Sequence, residues 1–242
     1  MENQNFPTAE VFEISQNKFH NPIIIAGFVG AGLVGPLSVS YIIEKLQMKL
    51  IGYMRSKYLP PSAVFINGRL RHPFRFYTNE EGTICSIICE ITLGMEGLYT
   101  IIAAILDWAK EKGSNEIIIL DGVASEEHDN KVYCAAEDDL CRVLADKNIN
   151  IIPHGFITGM PGGILNECLL REIQGLVLLV KANKNSVDLT AATTLVEAVN
   201  KLYETNIDTT DLKNKKEKIG IDFNELSQKY VEHRKKQSSM YM

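Results

Sequence analysis

The sequence predicts an α/β protein in which a mostly parallel, mixed sheet lies between two layers of helices. Short, continuous apolar runs at 23–26 and 117–120 are typical of strands that are buried on both faces. Between residues 96 and 203, strand patterns alternate with helical patterns, which indicates parallel strands joined by helical crossovers. Residues 50–91 hold several strand patterns in succession, so we expect this section to add antiparallel strands.

The first half of the chain supplies the opening strand, one helix and the antiparallel section. Residues 1–22 are polar with scattered apolar side chains, which suits an edge strand or an arm draped over the body. The elements predicted next are a strand at 23–26, a helix at 34–45, and strands at 50–54, 63–66, 74–78 and 84–91. The helix has apolar residues at helical spacing, and Asn67-Gly68 is a strong hairpin signal.

The second half of the chain supplies the strand and helix pairs. The predicted elements are a helix at 96–112, a strand at 117–120, a helix at 135–146, a strand at 150–152, a helix at 164–172, a strand at 176–180 and a helix at 188–203. The first of these helices has a broad apolar face, and Gly113 supplies its C-terminal stop. Residues 155–163 are interpreted as a glycine-rich loop, and Asp121 is expected at the end of its strand.

Beyond residue 203 the chain becomes highly charged. Thr209, Thr210 and Asp211 can cap one helix, and Asp222 with Glu225 resembles the capping box of a second. These patterns predict an α/β body at 1–204 with its arm at 1–22, a charged helical appendage at 205–236, and a flexible tail at 237–242.

Composition and charge exclude several classes of protein. The 242 residues are 45% hydrophobic and 23% charged, which is ordinary for a soluble globular protein. A net charge of -5 argues against a general nucleic-acid binder. From Asp211 onward, eight Lys or Arg oppose five acidic residues, so this end is +3 and the first 210 residues carry -8. We interpret the basic end first as solvated helix, and second as a means of steering toward an acidic partner.

The cysteines and the N-terminus indicate a reduced, cytoplasmic protein. Five cysteines, odd in number and without a CxxC, predict neither a disulfide framework nor a zinc site, so buried thiols are expected. The first residues lack the basic and apolar regions of a signal peptide, and no apolar run reaches membrane-spanning length. We expect no metal, no cofactor and no membrane association.

A glycine-rich motif follows the first strand. Gly30, Gly32 and Gly35 form a GxGxxG between a strand and a helix, where a dinucleotide site would have it. Such a site also needs an acid near the end of the second strand, but the chain offers Arg55 and Lys57 there, which suit at best a 2'-phosphate. The favoured interpretation is that these glycines permit a tight turn and a close approach of helix to sheet.

A second glycine cluster contains Gly159 and Gly162 and also precedes a helix. Its backbone amides could hold an anion, but no Lys-Ser/Thr pair follows, so it is not a P-loop. A close-packed turn is favoured. The alternative, that the loops at 27–35 and 159–163 serve a nucleotide- or nucleoside-handling enzyme, stays open at the level of sequence.

One acidic segment is a candidate for metal binding or acid-base chemistry. Asp121, Glu126, Glu127, His128 and Asp129 follow a predicted strand, where α/β proteins place their sites. The segment lacks a glycine-defined cation loop, and contiguous charges are usually solvated, so an exposed loop is favoured. The sequence has neither a GxSxG elbow nor an HExxH motif.

The last three residues, Met240-Tyr241-Met242, form a candidate partner-binding anchor. The ring of such a tail can fill a pocket, its hydroxyl can find a hydrogen-bond partner, and the α-carboxylate can pair with a cation. The alternative is a frayed terminus without a role.

A series of motifs in the body resembles the archaeal branch of the proteasome assembly chaperone 2 family. In chain order they are Gly27-Phe-x-Gly30-x-Gly32-Leu-Val34-Gly35, Tyr41-Ile-Ile-Glu-Lys-Leu, Tyr58-Leu-Pro60-Pro61, Gly68-Arg with His72-Pro73, Ala104-Ile-Leu-Asp107-Trp108-Ala, and Gly155-Phe-Ile157-Thr-Gly159. The resemblance covers about residues 23–202. Each motif is common, but their order and spacing are specific.

The resemblance implies a three-layer α/β/α fold related to nucleoside phosphorylases, without their catalytic residues. It implies a binding protein rather than an enzyme, one that recognises the α-ring of the proteasome core particle as an assembly chaperone or as an activator. It also implies a homo-oligomer, a tetramer among the options, or pairing with a homologue. Family members that bind mature core particles end in hydrophobic-Tyr-X, which Met240, Tyr241 and Met242 match. The carboxylate would then meet a lysine between adjacent α-subunits.

Overall fold

A nine-stranded sheet covered by helices on both faces forms the body of the protein in the computed structural model. The structure describes residues 8–66, 68–127, 129–147, 149–184 and 186–214. The strands are β1 (Glu10–Glu13), β2 (Ile23–Gly27), β3 (Lys49–Arg55), β4 (Val64–Ile66), β5 (Arg69–Arg71), β6 (Phe74–Thr78), β7 (Ile84–Cys89), β8 (Glu116–Ala124), β9 (Val132–Ala136), β10 (Asn150–Ile151) and β11 (Gln174–Ala182). The helices are α1 (Val34–Lys45), α2 (Leu98–Glu111), α3 (Asp138–Asp146), α4 (Gly159–Arg171), α5 (Leu189–Tyr203) and α6 (Thr210–Asn214), and a 3-10 turn, Ala31–Leu33, precedes α1.

The strand order in the large sheet is β1-β3-β6-β7-β2-β8-β11-β9-β10. The neighbouring strands β7, β2, β8 and β11 run parallel to one another. On the other side of β7 the neighbouring pairs β7–β6, β6–β3 and β3–β1 are antiparallel. Strands β4 and β5 form a separate hairpin between β3 and β6. The carboxyl ends of the four parallel strands meet at one edge, named here the carboxyl edge. The mixed sheet and its antiparallel section are therefore as predicted.

Two hydrophobic clusters, one on each face of the sheet, form the core. On one face α2 and α4 bury Ile101, Ile105 and Ile164 against the strands. On the other face α1 and α5 contribute residues such as Ile42 and Leu195. The parallel strands contribute to both clusters because successive side chains point to opposite faces, which explains their continuous apolar runs. No helix in the described part of the chain combines the length and hydrophobicity that a membrane crossing requires.

The edge strand predicted in the first 22 residues is β1, which pairs antiparallel with β3. Glu13 fixes it to α2, because its carboxylate accepts a hydrogen bond from the Trp108 indole at 2.8 Å and pairs with the Lys112 ammonium at 2.5 Å. Leu106 and Ala109 on the same helix are completely buried. The predicted hairpin is also present, with Ile66 opposite Arg69.

Three predicted elements were wrong in their bounds. Residues 135 and 136, assigned to a helix, belong to β9, which pairs antiparallel with β11 and buries Cys134, so α3 begins at Asp138. Residues 159–163, assigned to a loop, are the first turn of α4, where Pro161 is tolerated because the first amides of a helix need no intrahelical acceptor. Strand β8 continues to Ala124, so Asp121 lies within the strand and not at its end.

We predict that the buried ion pair between Arg75 of β6 and Glu90, the residue after β7, contributes strongly to stability. Arg75 Nη1 lies 2.6 Å from Glu90 Oε2, and both side chains are only 4% exposed. Glu90→Gln keeps the volume but leaves a buried, uncompensated guanidinium, so we expect the free energy of unfolding to fall by about 3–5 kcal/mol in urea titrations. The control is Glu80→Gln in the exposed Lys49–Glu80 pair, which should change stability by less than about 1 kcal/mol. Equal effects of the two substitutions would contradict this prediction.

Candidate functional site

The carboxyl edge holds most of the residues that the sequence marked as candidates. In α/β sheets ligands bind outside the carboxyl ends of the parallel strands. Here the loop after β2 carries the GxGxxG, β8 carries Asp121, and the segment after β8 carries the remaining acidic residues. The geometry of these three features decides between ligand binding and packing.

The GxGxxG loop is packed against its neighbours through its backbone. A Cβ atom at Gly35 would lie 2.5 Å from the Leu120 carbonyl oxygen, and a Cβ at Gly30 would overlap the Asp121 carboxylate. Gly32 has a φ of 62°, in the left-handed region that glycine favours. The Gly32 carbonyl accepts a hydrogen bond from the Asp188 amide at 3.0 Å. These contacts support the interpretation of the motif as a close-packed turn.

The Asp121 side chain lies beside the first glycine of the GxGxxG motif. The carboxylate lies against Gly30 and accepts a hydrogen bond from the Gly122 amide at 2.7 Å. Burial raises the pKa of the Asp121 carboxyl to about 6, so it is mostly ionised at neutral pH. An anion at this place would meet like charge, which argues against a phosphate-binding role for Gly30, Gly32 and Gly35.

The second glycine cluster has a comparable role in packing. A Cβ atom at Gly162 would overlap the Ile157 carbonyl oxygen, and one at Gly163 would overlap the Ile102 side chain of α2. Gly159 is the first residue of α4 and has a φ of +72°. The cluster therefore allows α4 to approach α2 closely.

The acidic segment does not form a metal site within the described ranges, where no three His, Cys, Asp or Glu side chains are grouped for one. His128 lies outside the described residues. Glu126 and Glu127 are exposed, as predicted for a solvated loop. Asp129 accepts a hydrogen bond from the Tyr133 hydroxyl at 2.6 Å and pairs with Lys181 at 3.1 Å, and these contacts lower the pKa of its carboxyl to about 2.

A pocket of about 430 Å³ lies beside this segment, between the end of β11 and the start of α5. Its polar wall includes Lys131, Lys181, Ser186, Asp188, Thr190 and Thr194. Asp188 already caps α5 by accepting a hydrogen bond from the Ala191 amide at 2.9 Å. An anion would therefore face a carboxylate at the start of the helix. The sequence does not predict this pocket, because its walls come from two stretches that are about 50 residues apart in the chain, 130–131 and 180–194.

Four of the five cysteines are buried and are poor nucleophiles, as expected from the sequence, whereas Cys141 is half-buried. Burial raises the pKa of the Cys85, Cys89 and Cys168 thiols to about 12, and that of Cys134 to about 11. Thiols with such pKa values hold almost no thiolate at neutral pH.

The C-terminal candidates, Met240, Tyr241 and Met242, lie outside the described residues, as does the predicted helix that begins near Asp222. The described chain ends with α6, whose Leu212 is 2% exposed. The segment leading into α6 is fixed to α1, because the Tyr41 hydroxyl donates to the Asp208 carbonyl at 2.7 Å and Lys45 pairs with Asp211 at 2.6 Å. The start of the C-terminal segment, at residues 208–212, is thus attached to the body.

Comparison with protein families gives a match that spans most of the chain. The model of the PAC2 family matches residues 24–227. The family resemblance that the motif series predicted is thereby confirmed.

Related chains of known structure extend the comparison. A protein of unknown function from Thermoplasma acidophilum has 31% sequence identity, a TM-score of 0.85, and coverage of 93% of this chain and 99% of its own. PbaA of Pyrococcus furiosus, described as an archaeal homolog of proteasome-assembly chaperone, has 26% identity and a TM-score of 0.82 over 93% of this chain and 99% of its own. An uncharacterized protein of Methanocaldococcus jannaschii is 24% identical over 95% of both chains. The three-layer fold is confirmed.

We predict that Gly35→Ala destabilises the protein although it replaces a helical glycine. In an ordinary helix the change would stabilise by roughly 0.5–1 kcal/mol, but the new Cβ would meet the Leu120 carbonyl oxygen. We expect an overpacking cost of about 1–3 kcal/mol in urea titrations. Gly94→Ala is the control, since nothing lies within 4 Å of its Cβ position. A more stable Gly35→Ala variant would contradict the close-packing interpretation.

We also predict that nucleotides do not stabilise the fold. NAD, NADP, ATP, nucleosides and inorganic phosphate, each at millimolar concentration, should leave the melting temperature unchanged, because the glycine loops are occupied by packing contacts. A ligand present at a hundred times its Kd would add about 2.7 kcal/mol of stability, which a thermal-shift assay detects. An increase in the melting temperature with any of these compounds would support the alternative that the chain is a nucleotide- or nucleoside-handling enzyme.

Proposed function

Because the chain belongs to the PAC2 family, we propose that it is an ATP-independent proteasome assembly chaperone or activator that binds the α-ring of the core particle. The neighbour described as a homolog of proteasome-assembly chaperone supports this, since it aligns over nearly the whole of both chains. The packed glycine loops support a binding protein over a nucleotide-handling enzyme.

The observation that carries the proposed binding mode is the sequence Met240-Tyr241-Met242. We propose that Met240 and the Tyr241 ring enter a pocket between adjacent α-subunits, where the aromatic ring provides most of the buried area. The α-carboxylate of Met242 then pairs with a lysine of that pocket, a charge-assisted contact that fixes the depth of insertion.

The body supports this mode by fixing where the C-terminal segment begins. Residues 215–242, 28 in number, follow α6. With residues 215–236 helical, as the sequence predicts, and residues 237–242 extended, they would span roughly 50 Å, since a helical residue adds about 1.5 Å and an extended one about 3.3 Å. The tail can therefore reach a pocket on a partner while the body stays outside the pocket. The net +3 charge from Asp211 onward favours approach to an acidic surface.

Several copies of the tail would act together. A tail of three anchor residues binds weakly by itself, but a homo-oligomer or a pair of homologues presents more than one tail to a ring with repeated pockets. The second contact is then intramolecular, and the avidity exceeds the affinity of either tail. A tetramer is one arrangement that would supply this multivalency.

The test measures whether the protein co-purifies with core particles from the same source. It also measures the affinity of the protein for core particles that are attached to a surface. Deleting residues 240–242, or changing Tyr241→Ala, should weaken binding at least about 30-fold, because removal of an aromatic hot-spot residue costs about 2 kcal/mol or more. Met240→Leu is the matched control and should retain binding, since it keeps the hydrophobic position. Circular dichroism should show the same fold in every variant.

Two outcomes separate the parts of this proposal. Unchanged binding by the truncated protein would overturn the tail mechanism. Peptide hydrolysis by mature core particles, measured with and without the protein, distinguishes an activator from an assembly chaperone: tail-dependent acceleration indicates an activator, and binding without acceleration indicates an assembly role.

A further inference from the structure

Two of the five cysteines come together where α3 packs on β9. Cys134 is in β9, and Cys141 follows it in α3 after a short turn. Cys134 points into the hydrophobic cluster on the α1 and α5 face of the sheet. Cys141 shares a helix face with Leu144, which is three residues further on and is 2% exposed in that same cluster. The strand and the helix therefore direct both thiols into one interface.

Hydrogen bonds hold the Cys141 thiol over β9. Its Sγ donates to the Ala136 carbonyl oxygen at 3.3 Å. Ala136 lies two residues after Cys134, on the same face of the strand. The Cys141 thiol also lies within hydrogen-bonding reach of the Cys134 thiol, and burial together with this neighbour raises the pKa of Cys134 to about 11. Both thiols are free, so the two sulfur atoms are neighbours that are not bonded.

The two thiols differ in their exposure to solvent. Cys134 is completely buried, whereas Cys141 is half-buried. A reagent in solution can therefore reach Cys141, and Cys134 can react only with a group that is already attached to Cys141. An accessible thiol beside a second, resolving thiol is the arrangement that redox-sensitive cysteine pairs use.

We propose that Cys134 and Cys141 are a modification site, which forms a reversible disulfide when the protein meets a small-molecule disulfide. The Cys141 thiolate attacks one sulfur of the reagent, which releases one reagent thiolate and leaves a mixed disulfide. The Cys134 thiolate then attacks the Cys141 sulfur, and the bond between Cys141 and the reagent breaks. The protein loses two electrons and two protons, and the reagent is reduced to two thiols.

Proximity offsets the high pKa of Cys134. A thiol with a raised pKa holds little thiolate at neutral pH, which slows its attack on any reagent in solution. The attack on Cys141 is intramolecular, however, and a well-placed intramolecular partner has a very high effective concentration. The thiolate that does form is also the stronger nucleophile, because nucleophilicity rises with the pKa of the thiol.

The disulfide would fix α3 to the sheet. Helix α3 packs on β9 and β10, the last two strands at one end of the sheet. Leu144 anchors it, and the Lys147 ammonium just after it donates to the Leu202 carbonyl oxygen at 3.1 Å. Arg142 and Val143, on its outer side, are exposed. A covalent link to β9 restricts the local opening of such a helix. This inference does not depend on core-particle binding.

The test treats the full chain with hydroxyethyl disulfide in a mildly alkaline buffer, and follows its intact mass and its disulfide-linked peptides. The wild-type chain should lose two hydrogens, and the link should join Cys134 to Cys141. Cys134→Ala should stop at the mixed disulfide on Cys141, and labelling confined to that position shows that the variant is folded. Cys141→Ala should react at least about tenfold more slowly, since its remaining thiols are buried. Cys168→Ala is the control and should form the disulfide as the wild-type chain does.

Hydrogen exchange gives a second measurement. The amides of residues 138–147 should exchange at least about fivefold more slowly in the oxidised protein, and dithiothreitol should reverse the change, whereas α2 should be unaffected. A wild-type chain that keeps the mixed disulfide, a disulfide through another cysteine, or the absence of reaction at Cys141 would each overturn the inference. Exchange in α3 that oxidation leaves unchanged would overturn the proposed effect on the helix.

Discussion

The close backbone contact between the start of α1 and strand β8 is the constraint on which the body depends. Gly35 lies so near the Leu120 carbonyl that no side chain fits between them. This approach brings α1 down onto β2 and β8 and lets Ile42 reach full burial. It also sets the path of the preceding turn. The Gly32 carbonyl in that turn accepts a hydrogen bond from the Asp188 amide at the start of α5. One contact therefore positions both helices on that face of the sheet.

The same constraint affects what the protein can bind. In nucleotide-binding α/β proteins a glycine loop leaves its amides available to phosphates beyond the strand ends. Here the Asp121 carboxylate lies against Gly30, and the Gly32 carbonyl accepts a hydrogen bond from the Asp188 amide. The crevice beyond the strand ends, where α/β enzymes bind their ligands, is filled here by the protein's own packing contacts. Function on such a scaffold moves to surfaces and segments outside the crevice, because a fold by itself does not determine activity.

The sequence predicts the body wherever local patterns decide the structure. Helix α1 (Val34–Lys45) and strand β6 (Phe74–Thr78) were predicted with the bounds that the structure has, since periodicity and turn residues mark both ends. Strand β9 was missed because it forms through pairing with β11, a contact that no local pattern records. The start of α4 was missed because glycines normally indicate a loop, whereas here they allow the helix to pack on α2.

The candidate sites also differ in how far local sequence patterns predict them. The Asn67-Gly68 turn predicted the hairpin, but nothing local could show that Phe65 and Leu70 remain uncovered, since exposure depends on the whole fold. The pocket beside Asp188 escaped detection for the same reason. The tail is the opposite case: Met240, Tyr241 and Met242 can be proposed as an anchor from sequence alone, because such an anchor requires only its own residues, and its role stays a prediction.

The position of α6 fixes where the C-terminal segment leaves the body. Helix α1 begins at the carboxyl edge, after β2, and ends near the start of β3, at the opposite edge of the sheet. Lys45, at its last residue, pairs with Asp211, so the C-terminal segment leaves the body away from the carboxyl edge. If several copies act together, each tail starts from the amino edge of its own body, opposite the carboxyl edge, so the length of the segment after α6 decides which pockets of a ring the tails can reach together.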